Sequence, residues 1–271
     1  MNTIKACFMA AAFLGCNTAL AAAPADNRCG ALPAHNQLKV ALRHSIAPTG
    51  GPQNGGFDLN MWATIVDRDG VVCNVAFSGE DSGDQWPGSR VISAQKANTA
   101  NAFSLPGLAL STANLWAAVQ PGGSLFGLQE SNPVDAAVAY GAPGHHGGSG
   151  RGYGRTEDPM VNTFIGGVNV FGGGLALYDS QGTLLGGIGV SGDTSCADHN
   201  IAWRVRHALG LDYVPGGVGG DPERPDNINY QGLVPVPSLA NDFSHPICAI
   251  AGEDNVSDIS ASLPPVRTVD D

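Results

Sequence analysis

The sharpest local match to a chemical motif is Gly187-Ile188-Gly189-Val190-Ser191-Gly192. It reads G-x-G-x-x-G, follows a strand pattern and opens a helix, with Asp212 about 20 residues on, where a dinucleotide fold wants an acid. The context opposes that reading. The preceding strand belongs to a hairpin, and Leu211 to Val214 runs straight into Pro215-Gly216-Gly217, so no second parallel strand follows. What survives is a Gly-rich turn at a helix start, whose free N–H groups suit an anion, with Asp193 competing for them. Ser93-Ala94-Gln95-Lys96 matches the S-x-x-K of penicillin-recognising acylases, but S-D-N, K-T-G and a G-x-S-x-G elbow are all missing. His199, Trp203 and His207 recur every fourth residue of a strong helical pattern; they read either as a solvated or subunit-contact stripe or as a cofactor-ligating imidazole with an aromatic neighbour. His145 and His146 are adjacent in a Gly-rich loop and offer no preset metal geometry, which leaves His44, near the end of a first helix, as a further helical candidate. Glu80, Asp81 and Asp84 read as a polar loop, and the scattered acids single out no glycosidase pair.

The elements that must position these groups are legible in outline. From Met61 to Ser78 the pattern is strand, turn, strand around Asp67-Arg68-Asp69-Gly70, with Trp62, Thr64, Val66 and Val71, Cys73, Val75, Phe77 alternating. Leu175 to Val190 repeats this grammar around Asp179-Ser180-Gln181-Gly182. Two such hairpins suggest one antiparallel sheet with a connecting strand. Helices are predicted over Gln37 to Ser45, Ser89 to Phe103, Ser111 to Val119 and Thr194 to Leu209, the last capped by Asp193 or Thr194 and ended by Gly210. Tyr140 to Arg155 is a Gly-rich loop without plausible core residues, a lid or an insertion. Beyond Asp212 the chain is Pro/Gly-rich and reads as an arm over the domain, held by Cys248 and frayed at its end.

Composition narrows the function classes. The 271 residues are 43% hydrophobic and 14% charged, with 38 Gly and 18 Pro, enough to bury a core. A formal charge of −11, with no basic run, argues against nucleic acid and anionic lipid as partners. Lys5, the apolar stretch Ala6 to Gly15 and Ala19-Leu20-Ala21 form a signal peptide over residues 1–21, which predicts a periplasmic or secreted chain starting near Ala22. No later run is long enough for a membrane helix. Cys29, Cys73, Cys196 and Cys248 then remain, and in an oxidising compartment they suit two disulfides, for which three pairings exist. Cys29–Cys73 with Cys196–Cys248 is preferred because each bond ties a terminal arm to a structured element.

The order of the D-x-x-G hairpin, Ala94-x-Lys96-Ala97-x-Thr99-Ala100-x-x-Phe103, Gly166-Gly167, the second hairpin and Gly189-Val190-Ser191-Gly192-Asp193 resembles the GlcG/HbpS-like heme-binding family, which includes the C-terminal module of PduO-type proteins. The resemblance spans about Gln37 to Leu209 within a domain of residues 22–212, ahead of an arm over 213–271. It implies an α/β (α+β) fold of profilin-like layout: a single antiparallel five-stranded sheet flanked by helices, assembling into homo-oligomers. It also implies binding of heme or a related tetrapyrrole, with roles in sequestration or slow degradation rather than an assigned catalytic cycle. By position, the iron ligand would be His44 or Thr163, with Lys96 and His199 as further cofactor-binding candidates and Arg43, Lys96, Arg204 and Arg206 as cations for the propionates. The insertion around His145 and His146, the four cysteines and the long arm depart from the family. Heme capture, storage or sensing is the first reading. An enzyme using the same pocket, on heme or on a small acid or aromatic substrate, and a non-catalytic partner-binding module are the alternatives.

Overall fold

The computed structural model describes residues 28–49, 53–141, 150–231, 243–248 and 256–269. The segment expected to be a signal peptide and the His145-His146 pair lie outside the described residues.

Both D-x-x-G turns fold as hairpins, and for one reason. Asp67 Oδ1 accepts the backbone N–H groups of Asp69 and Val71, and Asp179 Oδ1 those of Gln181 and Thr183. Gly70 and Gly182 take the left-handed conformation that closes each turn. The strands are β1 (Trp62–Asp67) and β2 (Val72–Phe77), then β3 (Gly174–Tyr178) and β4 (Leu184–Ser191).

Among the described residues this sheet has four antiparallel strands in the order β2-β1-β4-β3, not five, and no connecting strand. The hairpins meet directly, Trp62 opposite Ser191 and Asp67 opposite Gly186. Each outer edge carries a single bridge instead of a further strand: Asp212 beside Tyr178, and Phe164 beside Val71. A bulge in the β1–β2 ladder also breaks the expected alternation. Val72, Val75 and Phe77 stay with Trp62 on one face, while Cys73 turns to the other, where Cys29 waits.

Helices cover both faces. On one, α1 (His35–Ile46) and α5 (Ser195–Ala208) pack together through Leu38, Leu42, Ile201 and Val205 onto Ile65, Leu175 and Ile188. On the other lies α2 (Ser89–Phe103), which approaches β4 closely because alternate β4 positions facing it are glycine. A Cβ on Gly187 would strike the Ala97 carbonyl oxygen, and one on Gly189 that of Ser93. These glycines of the G-x-G-x-x-G motif therefore serve helix–sheet packing.

The stretch expected as a helix over Ser111 to Val119 forms two 3-10 turns, Ala113–Leu115 and Ala117–Val119, because the Asn114 side chain bonds back to Ser111. Short helices α3 (Leu128–Ser131) and α4 (Ala136–Tyr140) follow. Tyr153, in the loop read as lacking core residues, packs on the second core cluster, with the Arg90 guanidinium 3.8 Å from its ring centre. The C-terminal arm adds the paired short strands β5 (Asn229–Tyr230) and β6 (Ser244–His245) and helix α6 (Val256–Ser262). Among its described residues it buries Leu263 in the main core and pairs Arg267 with Asp212.

Candidate functional site

Two of the cavities among the described residues hold candidates that the sequence singled out. The first is an open groove of about 420 Å³ between α1 and the end of α5, lined by Pro33, Asn36, Gln37, Val40, Ala41, His44, Ala208 and Leu209. Helix α1 turns Leu38, Ala41 and Leu42 inward, which sends Val40 and His44 outward. His44 is exposed and finds no hydrogen-bond partner among the described residues. Val40 beside it is 54% exposed. An imidazole free at both nitrogens over an apolar wall is a donor set for one soft or borderline metal centre.

The second cavity, about 330 Å³, sits where α2, β4 and the start of α5 converge, lined by Trp86, Ser89, Ile92, Lys96, Phe171, Ser191, Asp193, Ser195 and Asp198. Its floor is a buried ion pair. Lys96 Nζ lies 2.6 Å from Asp198 Oδ2 and 3.1 Å from the Val190 carbonyl oxygen. Burial pushes Asp198 up to about 6 against the opposing pull of Lys96, and burial lowers Lys96 although Asp198 raises it. Asp193, expected to compete for the glycine turn, accepts instead from Phe57 and Leu59 N–H, while Thr194 caps α5.

Ser195 enters the same cavity. Its Oγ accepts the Gly172 N–H at 2.7 Å and lies 2.8 Å from His245 Nε2, whose other ring nitrogen is 2.7 Å from the Pro246 carbonyl oxygen. Burial lowers His245 to about 4. Sequence reasoning missed this pair because fifty residues separate its members. The one usable sign is the Cys196–Cys248 disulfide, which sits next to Ser195 and three residues from His245. The other disulfide joins Cys29 to Cys73.

The remaining sequence candidates scatter. Lys96 and His44 line different cavities. Thr163 lines neither; its hydroxyl donates to the Met160 carbonyl at 2.6 Å and its own carbonyl accepts the Val72 N–H. His199 and Trp203 form no solvated stripe, since the C-terminal arm covers them: both are buried, and Trp203 Nε1 donates to the Pro264 carbonyl. His207 bonds Asp212 at 2.7 Å. Among the described residues neither ring nitrogen of His199 makes a well-formed hydrogen bond; burial, aided by Arg206 and only weakly opposed by the nearby Asn227 side chain, lowers it to about 3.

Of the cations expected to meet propionates, Lys96 is held by Asp198, Arg206 by Asp226 and Arg43 by Glu80, while Arg204 bonds Asn54 and Ser262. Two groups among the described residues bring possible metal-ligand atoms together, Cys196/His245/Cys248 and Cys29/Asp67/Cys73, and in both the sulfurs are spent on disulfides.

A family model described as "Haem degrading protein HbpS-like" matches residues 56–206, more than half the chain, and begins after α1 with its His44. No curated protein matches significantly. Among solved structures, one described as the crystal structure of a PduOC:heme complex is 23% identical, with a TM-score of 0.43, covering 65% of this chain and 91% of its own. A Klebsiella pneumoniae protein, ORFY, is 22% identical, with a TM-score of 0.41, covering 64% of this chain and 86% of its own.

Proposed function

We propose, from the premise that this chain belongs to the GlcG/HbpS-like family, that it is an exported heme-binding protein acting in heme capture, storage or sensing. The observation that carries the reading is His44, an unpartnered exposed imidazole on the apolar groove between α1 and α5. Heme needs an axial donor and apolar surface. His44 supplies the first, and Val40, Ala41, Ala208 and Leu209 supply the second. Bound there, heme brings a redox-active iron and a Soret chromophore. The residues that would hold it are the chain's part: His44 would offer the axial donor, and Val40 and Leu209 apolar surface. Thr163 is the less favoured ligand, because its hydroxyl already serves Met160. Homo-oligomeric assembly, which the family resemblance implies, is part of this reading.

The organisation behind this reading is a signal peptide over 1–21, a domain over 22–212 and an arm over 213–271. The two disulfides support export, and no helix among the described residues is long and apolar enough to cross a membrane. Oxidative degradation of the bound heme is the second reading, supported by the description of the matching family.

The test is a Soret titration of the oxidised chain with heme. We expect saturable one-to-one binding, weakened at least tenfold by His44→Ala and much less by His199→Ala. Equal affinity of the parent and His44→Ala removes the ligand assignment. A spectrum indistinguishable from free heme removes the function.

A further inference from the structure

We propose that Ser195 and His245 form a nucleophile–base pair that hydrolyses small carboxylic esters in the cleft between Trp86 and Phe171. This activity is separate from the heme groove and does not depend on it.

The argument begins with proton positions. The Pro246 carbonyl can only accept a hydrogen bond, so the His245 nitrogen facing it, Nδ1, carries the proton. A neutral ring then presents a lone pair at Nε2, toward Ser195 Oγ at 2.8 Å. The serine hydroxyl therefore donates to the imidazole, the orientation general-base activation requires. The carbonyl does the orienting that a carboxylate does in the Ser-His-Asp arrangement. The Gly172 N–H, 2.7 Å from Oγ, stabilises negative charge developing on that oxygen.

The surroundings supply the rest. Ser195 is the first residue of α5, a helix of 14 residues. Thr194 takes the N–H of Ala197 through its side chain and that of Asp198 through its carbonyl, and the N–H groups of Ser195 and Cys196 bond nothing among the described residues. Those two donors, at the positive end of the helix, suit the oxyanion of a tetrahedral intermediate. Trp86 and Phe171, 53% and 47% exposed, wall the cleft with Ile92, so the acyl or alkoxy group it takes is small and apolar or aromatic. The Cys196–Cys248 disulfide fixes the segment carrying His245 onto the residue after Ser195. Ser93, the serine of the S-x-x-K match, is excluded as nucleophile: it is fully buried and bonded to Thr64 Oγ1.

In the first half-reaction Ser195 Oγ bonds to the ester carbonyl carbon and its proton passes to His245 Nε2. The bond from that carbon to the alkoxy oxygen breaks, and the alcohol leaves with the proton from His245. Water then attacks the acyl-serine and gives a proton to His245. The carboxylic acid departs and the proton returns to Ser195. One ester and one water become one acid and one alcohol.

The test exposes the oxidised full-length chain to a fluorophosphonate probe and to p-nitrophenyl acetate, with the labelled peptide located by mass spectrometry. We expect one label per chain, on Ser195, and ester turnover that disappears in Ser195→Ala. His245→Gln should slow labelling at least 100-fold, the low end of what a positioned general base contributes. A parent with both disulfides intact that takes no label on Ser195 overturns the proposal, whatever the variants do. Turnover undiminished in Ser195→Ala, or labelling at the parental rate in folded His245→Gln, overturns it as well.

Discussion

Replacing His199 by Leu should make the protein more stable, and increasingly so as the solution becomes acidic. The imidazole is fully buried, and among the described residues neither ring nitrogen makes a well-formed hydrogen bond, the nearby Asn227 side chain opposing the effect of burial only weakly. An unsatisfied buried polar group costs about 1–3 kcal/mol, so an apolar side chain of similar size should recover roughly that amount at pH 7. The pH dependence comes from the displaced proton equilibrium. In the folded chain His199 sits at about 3, against 6.5 for an ordinary histidine. Between those values the unfolded chain binds a proton that the folded chain refuses, so the parent loses stability as pH falls from 6.5 toward 3. The displacement corresponds to about 5 kcal/mol across the window. Asp198, raised to about 6, works in the opposite direction between roughly its ordinary 3.8 and 6, but it does so in both proteins and drops out of their difference. The assay is urea unfolding of the oxidised proteins from pH 3 to 8, followed by tryptophan fluorescence. The gap between His199→Leu and the parent should open steadily below pH 6.5. A constant gap, or a variant less stable than the parent at pH 7, would refute the reasoning, because it would mean that the imidazole is hydrogen-bonded or hydrated in the folded protein.

Three further outcomes follow from packing and covalent links. Gly189→Ala should cost about 3 kcal/mol, the upper end for overpacking, because the new methyl meets the Ser93 backbone rather than a side chain that can turn away; thermal unfolding measures it. Arg206→Met should cost about 3–5 kcal/mol by leaving the Asp226 carboxylate buried without its cation, and adding Asp226→Leu should recover much of that loss in a double-mutant cycle. Replacing Cys29 and Cys73 together by Ser should cost about 2–4 kcal/mol in urea while leaving the β1–β2 turn, held by Asp67, intact by NMR.

Local features were the readable ones. Asp67 and Asp179 announce their hairpins because an aspartate four residues before a returning strand satisfies the turn's own N–H groups. The limits of α2, and of α5 behind its Thr194 cap, also follow from nearby residues. Features set by distant contacts stayed hidden. Nothing in either hairpin says that β1 lies against β4, and because the hairpins pair directly the expected connecting fifth strand is absent among the described residues, each edge carrying a single bridge. The glycines at 187 and 189 looked like a ligand loop until α2 was seen resting on them. His199 and Trp203 looked exposed because their cover, the arm around Pro264, is some sixty residues away. Of the site candidates, His44 was legible only as a helical histidine that the family resemblance turned into a ligand candidate, and Ser195 with His245 stayed unpaired because fifty residues separate them, although the preferred Cys196–Cys248 bond brings their segments together.

The two disulfides also decide how the chain carries force. Cys29–Cys73 and Cys196–Cys248 close spans of 44 and 52 residues near opposite ends of the described chain. Tension applied beyond them enters β2 at Cys73 and α5 at Cys196, so the intervening residues 74–195 bear the load. At about 3.6 Å per residue, roughly 350 Å of contour stays locked behind sulfur however hard the ends are pulled. Strand β1 lies inside one locked span, whereas its central neighbour β4 lies in the load path, so the two middle strands of the sheet are treated differently by the same pull. Under oxidising conditions the protein extends by less than two thirds of its chain, and a thiol reductant releases the remainder in two steps of distinct length.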